Sequence, residues 1–224
     1  MVISGVWTLQ RTARLLPARR RLRKALPPLL FFTDPVRTPE PEAIARRLPK
    51  GSAIVYRSFG ALDAEAVARR LLNIAETRGL ILLIGQDAVL ARRVGAHGVH
   101  LPQRLAHLAL PLKRAQPRWL VTSSAHSLAA ARRARSDAVV ISVVFASNSA
   151  SAGRSLGPIR LATRVRLAGR PAYGLGGVSN ATAGRLLGPG LIGLAAVEGI
   201  STQGDVTQST RGRSGATEPL WLRT

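Results

Sequence analysis

Three short stretches carry residues whose types and spacing could do chemistry. The first is YGLGGVSNAT, residues 173–182. Gly176 and Gly177 end an apolar run, and Ser179 or Asn180 can cap a following helix. Bare glycine amides beside a helix start make a seat for an anion such as a phosphate. The same glycines also suit a tight turn that needs positive φ. The second stretch is SSAHS, residues 123–127. Ser124 and His126 leave an apolar run together, and a loop histidine can take and return a proton near neutral pH. Alternatively the serine and histidine only cap the next helix. The third is GVHLPQ, residues 98–103. His100 sits inside an apolar run and reads as a satisfied core histidine. Gln103 lies beyond Pro102, where it can reach a ligand.

Several chemistries are excluded. There is no cysteine, so disulfides, thiolate nucleophiles and zinc–thiolate sites are absent. The histidines stand at 97, 100, 107 and 126 without the HExxH spacing of a zinc site. No nucleophile elbow accompanies the serines, which argues against a serine hydrolase.

The elements that must position these residues follow a regular rhythm. Apolar runs of β type occupy 28–34, 52–58, 80–85, 98–102, 119–124, 138–145, 172–177 and 191–197. They are nearly continuous rather than alternating, as strands buried on both faces are. Helical patterns lie between them, including LDAEAVARRLLNIAETRG, which closes on Gly79 as a C-cap. Strand–helix alternation repeated eight times predicts a parallel α/β fold, a (β/α)8 TIM barrel, with the eighth helix missing or degenerate. The expected organisation is a basic N-terminal extension (1–26), a barrel domain (27–200) and a polar, disordered tail (201–224).

In such barrels the active site lies where strands end. That rule selects Thr33 and Asp34, Arg57 and Ser58, Gly85 to Asp87, His100 and Gln103, Ser123, Ser124 and His126. It also selects Phe145 with Ser147 to Ser149, Gly174, Gly176 and Gly177, and Ala195 with Glu198.

Charge sets further bounds. The chain carries 33 basic and 11 acidic residues, a net charge of +22, and aromatics are only 4%. Arginines occur in every helical segment and stacking residues are few. Weak adsorption to nucleic acid at low salt is expected, and specific recognition is not. The first 26 residues hold seven basic residues and no acid, a composition similar to a transit peptide, but a basic amphipathic leader helix packed on the domain, or a solvated extension, is preferred. No apolar run approaches the ~20 residues of a membrane span. A cytoplasmic protein is expected, and the sequence carries no signal for oligomeric state.

The order of FFTD on the first run, GVHLPQ on the fourth, S-x-H-S after the fifth and GLGGV before the eighth resembles the thiamine phosphate synthase and thiazole tautomerase family. The similarity spans about residues 28–200. It implies a (β/α)8 barrel that couples a hydroxymethylpyrimidine pyrophosphate to a thiazole phosphate with Mg2+. On this chain it implies His126 and Arg57 as catalytic residues. Ser124, Gly176, Gly177, Gln103 and Ser149 would bind substrate and phosphate, and Asp87 the metal.

The chain departs from the family pattern at several points. In the pyrophosphate clamp, Q-x-R-x-K, Val55 and Phe59 replace the outer residues and Arg57 stays. An Asn-Asp pair becomes Gly85–Gln86, leaving Asp87 displaced by one. A metal-binding aspartate becomes Leu105, a lysine falls near Ser149–Ala150, and a phosphate-seat serine becomes Glu198. Three functions fit these residues. One is a synthase with rearranged ligands such as Asp34 and Asp87. Another is a metal-free thiazole tautomerase using His126. The third is a non-catalytic barrel that binds a phosphorylated ligand.

Overall fold

A computed structural model describes residues 9–16, 25–146 and 155–198. Every apolar run becomes a strand: β1 Leu29–Phe32, β2 Ala53–Tyr56, β3 Ile81–Gly85, β4 Gly98–Leu101, β5 Leu120–Ala125, β6 Ala138–Ser142, β7 Ala172–Leu175 and β8 Gly193–Ala196. Each pairs in parallel with its sequence neighbours, and β8 closes on β1. The helices are α1 Leu9–Leu15, α2 Pro41–Arg47, α3 Ala64–Arg78, α4 Ala88–Val94, α5 Ala109–Ala115, α6 Leu128–Arg133, α7 Gly157–Ala168 and α8 Asn180–Ala183. The protein is a TIM barrel.

Local sequence explains the boundaries. Gly79, Gly95 and Gly169 end α3, α4 and α7 in the left-handed conformation, where a side chain would be strained. Pro111, which breaks the pattern between β4 and β5, falls in the first turn of α5. There its missing N–H removes no helical bond.

The pleat sorts side chains into three packed groups. Phe31, Ile54, Leu82, Ile84 and Val99 point outward onto α2, α3 and α4. Val139, Ile141 and Leu194 point outward onto α6, α7 and α8. Leu30, Phe32, Val55, Leu83, Val140 and Tyr173 fill the barrel. Tyr173 is the largest of these. Its ring lies over Gly193, where any Cβ would collide with it, and its hydroxyl donates to the Pro27 carbonyl at 2.7 Å.

The upper part of the interior is polar. His100 Nδ1 lies 2.9 Å from Thr122 Oγ1, and its Nε2 lies 2.9 Å from Ser124 Oγ. The Phe32 ring meets the imidazole edge-on, with centroids 4.9 Å apart. Burial, with the Arg57 charge nearby, pushes His100 down to about 3, so the ring is neutral at physiological pH. The reading of His100 as a core histidine fits this hydrogen-bonded environment.

No helix follows β8 among the described residues; 199–224, including the expected tail, lie outside them. The groove between β8 and β1 is instead filled by α1. Leu9, Ala13 and Leu16 are buried against Leu29, Leu194 and Ala183, and the Leu9 N–H donates to Asn180 Oδ1 at 2.9 Å. Within the stretch expected to be an extension, residues 9–16 therefore belong to the packed core.

Two outcomes follow. Leu16→Ala should cost roughly 2–5 kcal/mol in urea unfolding, as a core truncation does; an appended leader would show almost no change. His100 protonates near pH 6.5 when unfolded and near 3 when folded. The unfolded state therefore binds more protons in that window, and stability falls as pH drops from 6.5 toward 3. The His100 share is up to ~1.4 kcal/mol per pH unit. His100→Gln should lack that share in unfolding curves taken between about pH 7 and pH 4.

Candidate active site

The carboxyl ends of the strands surround a cavity of about 480 Å³. Arg57, Ser124, His126, Gly176 and Gly177 line it. Gln103 and Asp87 do not line it, and Ser149 lies outside the described residues.

Arg57 leaves β2 one residue beyond the strand. Its N–H donates to Thr33 Oγ1, its Nε to the Thr33 carbonyl at 2.7 Å, and its terminal nitrogen to Asp34 Oδ2 at 3.2 Å. Phe32 and Phe59 approach the guanidinium at 5.7 and 5.1 Å from their centroids. These contacts fix the direction of an otherwise flexible cation. Phe59, where the family pattern has a lysine, adopts positive φ and gives the clamp a ring in place of a charge.

Sequence reasoning missed Arg37, which also lines the cavity. It stands three residues after Asp34, and that spacing was its only signal. Its guanidinium donates to Asp34 Oδ2 at 2.8 Å and lies 3.6 Å from Glu198 Oε1. Hydrogen bonds and the charge of Arg37 hold the Asp34 carboxyl down at about 2, against the opposing effect of burial. Asp34 is thus committed to ordering two arginines. Glu198, which would repel a phosphate, is directed toward Arg37.

His126 is held from several sides. Its N–H donates to Gln103 Oε1 at 2.7 Å, and its carbonyl accepts from Arg164 at 2.9 Å. Its Nδ1 lies 3.0 Å from Ser142 Oγ, a further cavity residue. Gln103 therefore reaches the mouth as a support for His126. Ser127 caps α6 by accepting from the Ala130 N–H, which leaves Ser124 and His126 free of the capping task.

Across the mouth stand Gly176 and Gly177, both at positive φ. A Cβ on Gly176 would lie 2.7 Å from Val143, and one on Gly177 would collide with the Ala146 carbonyl. Close approach of the β6 exit thus requires these glycines. The N–H groups of Gly176, Gly177 and Val178 donate to no acceptor among the described residues. They remain available to an anion, with little support from the four-residue α8.

The donor set does not fit magnesium. Mg2+ demands octahedral hard-oxygen coordination, usually with carboxylates. Glu198 is the lining carboxylate among the described residues, whereas Asp34 is paired with two arginines. Asp87 caps α4, its Oδ1 accepting from the Leu90 N–H at 2.8 Å. Leu105 packs against the core, and Gln86 accepts from Arg104. Among the described residues no group of three or more His, Asp or Glu could hold a metal ion. No described helix is long and apolar enough to cross a membrane.

Comparison with known proteins agrees with this geometry. Residues 29–200 match the family described as thiamine monophosphate synthase. Thiamine-phosphate synthase of Laribacter hongkongensis is 31% identical over 153 residues, 67% of this chain and 71% of the relative. That of Methylococcus capsulatus is 30% identical, over 72% and 75%. The fold is shared with a thiamine phosphate pyrophosphorylase from Pyrococcus furiosus, with a TM-score of 0.66 and 23% identity over 78% of this chain and 87% of that one. A closed barrel with this mouth and this match leads to one assignment: the chain belongs to the thiamine monophosphate synthase family.

Proposed function

We propose that this barrel is a synthase-like transferase of thiamine biosynthesis that joins two phosphorylated heterocycles. The observation that carries the reading is a cavity with two anion-accepting ends. Arg37 and Arg57 stand at the β1–β2 side, and the Gly176–Val178 N–H groups stand across the mouth. A pyrimidine pyrophosphate fits the arginine end and a thiazole phosphate the glycine end.

In the reaction the thiazole nitrogen forms a C–N bond to the pyrimidine methylene carbon. The C–O bond to pyrophosphate breaks, and pyrophosphate leaves with the electron pair. Charge develops on the departing oxygens, and preoriented guanidinium groups are suited to meet it. Ser124, bonded to the neutral His100, can donate a hydrogen bond to the same anion. His126, supported by Gln103 and Arg164, lines the same cavity, where its imidazole can hydrogen-bond a bound substrate. Magnesium in this family supplies cationic charge to pyrophosphate; here the arginines take that part.

A second reading has its own support. Among the described residues the lining lacks a fitting metal site and offers His126 paired with Ser142, which suits metal-free proton transfer on a thiazole carboxylate phosphate. One assay separates the two. Purified protein receives both synthase substrates, or the thiazole carboxylate phosphate alone, with Mg2+ or with EDTA. Thiamine phosphate formed in both buffers is the expected result. Arg57→Ala should lower kcat/KM by about 100-fold or more. Isomerised thiazole without coupling, abolished in His126→Ala, would replace the synthase by a tautomerase. Phosphate binding without either product would leave a binding barrel.

A further inference from the structure

Arginines occur along the whole barrel, but acids do not. Residues 28–87 hold eight basic and seven acidic residues, whereas residues 88–197 hold fifteen basic residues and one acid, Asp137. On the first side the charges meet: Arg69 pairs with Glu65 at 2.7 Å and Arg70 with Glu42 at 2.9 Å. On the second side Asp137 is bound to Lys113 at 2.7 Å.

The consequence is concentrated on α6 and α7, which pack together. Arg132 and Arg133 on α6, Arg135 just beyond its end, and Arg160 and Arg166 on α7 are exposed. None forms a salt bridge with a carboxylate among the described residues. Arg132 donates to the Leu167 carbonyl at 3.0 Å. A backbone carbonyl orients a guanidinium without cancelling its charge.

We propose that the α6–α7 flank is a docking surface for the phosphate backbone of duplex nucleic acid, read without sequence preference. Charge complementarity selects the partner. Guanidinium forks match phosphate oxygens. The segments that form this face carry no aromatic ring to stack an unpaired base, so a single strand gains nothing over a duplex. Two apolar side chains, Ile159 and Leu167, are too few to make membrane insertion the main interaction. The surface lies on the barrel's side and is independent of the reaction at its mouth.

The test is fluorescence anisotropy with a mixed-sequence DNA duplex of about 20 base pairs across a salt series. Wild-type affinity should fall linearly with log salt, each phosphate neutralised adding about 0.9 to the slope. Arg133→Gln, Arg135→Gln, Arg160→Gln and Arg166→Gln combined should reduce the slope by up to about 3.6 and weaken low-salt binding by about 100-fold or more. Lysine at the same four positions should bind within about 3-fold of wild type, which separates lost charge from lost folding. A control with Arg46, Arg47, Arg69 and Arg70 changed to Gln removes the same net charge from the balanced side and should bind within about 5-fold of wild type. Equal loss in the two glutamine variants would overturn the proposal, because binding would then follow net charge alone. Absence of duplex binding would overturn it, as would tighter binding to phosphatidylserine vesicles than to DNA.

Discussion

Closing a parallel sheet on itself leaves each strand few inward positions near its carboxyl end. Whatever side chain occupies them must either fill the barrel or serve the mouth. Here Phe32, His100, Ser124 and Ser142 take these places, with Arg57 just beyond β2. The lower interior is sealed by Leu, Val and the ring of Tyr173. The polar groups above it cannot sink into the core, and each must find a partner at its own level. Thr122, His100 and Ser124 do so as a chain of side-chain hydrogen bonds.

Electrostatically, the mouth lacks carboxylates of the family pattern, since Gln86 and Leu105 stand in their places, and Phe59 puts a ring where that pattern has a lysine. A metal site holds an anion through a mobile cation fixed by acids. The present arrangement holds cations directly, with Asp34 shared between Arg37 and Arg57 and Glu198 beside Arg37. Such a pair of cations has a fixed direction and charge. Its geometry rests on Thr33, Phe32 and Phe59, side chains of β1 and the β2 exit.

The eight strands were legible because each is a short apolar run, and parallel strands buried on both faces must look that way. Arg57, Ser124, His126 and the two glycines were legible because they stand directly at strand ends. Gln103 and Asp87 also stand near strand ends, yet they turn to backbone N–H groups of His126 and Leu90. Hydrogen-bond partners across a loop leave no trace in spacing. Arg37 was hidden because it lies within a loop, and its role depends on Asp34 and Glu198 converging from different strands. The contrast between the two flanks was masked by the even scatter of arginine. What differs is where the acids fall, and this acquires meaning only once α6 and α7 are side by side.

The helix that covers β8 and β1 comes from before β1, not from after β8. The order of packing is thus (αβ)8 in character, as though the barrel had been cut one element earlier. During synthesis α1 emerges before β1, whereas β8, which forms one wall of its groove, emerges after the seven other strands. Its apolar face must wait through most of translation. Closure therefore couples segments far apart in the sequence, with 171 positions between Leu9 and its partner Asn180, and contacts of such range slow folding.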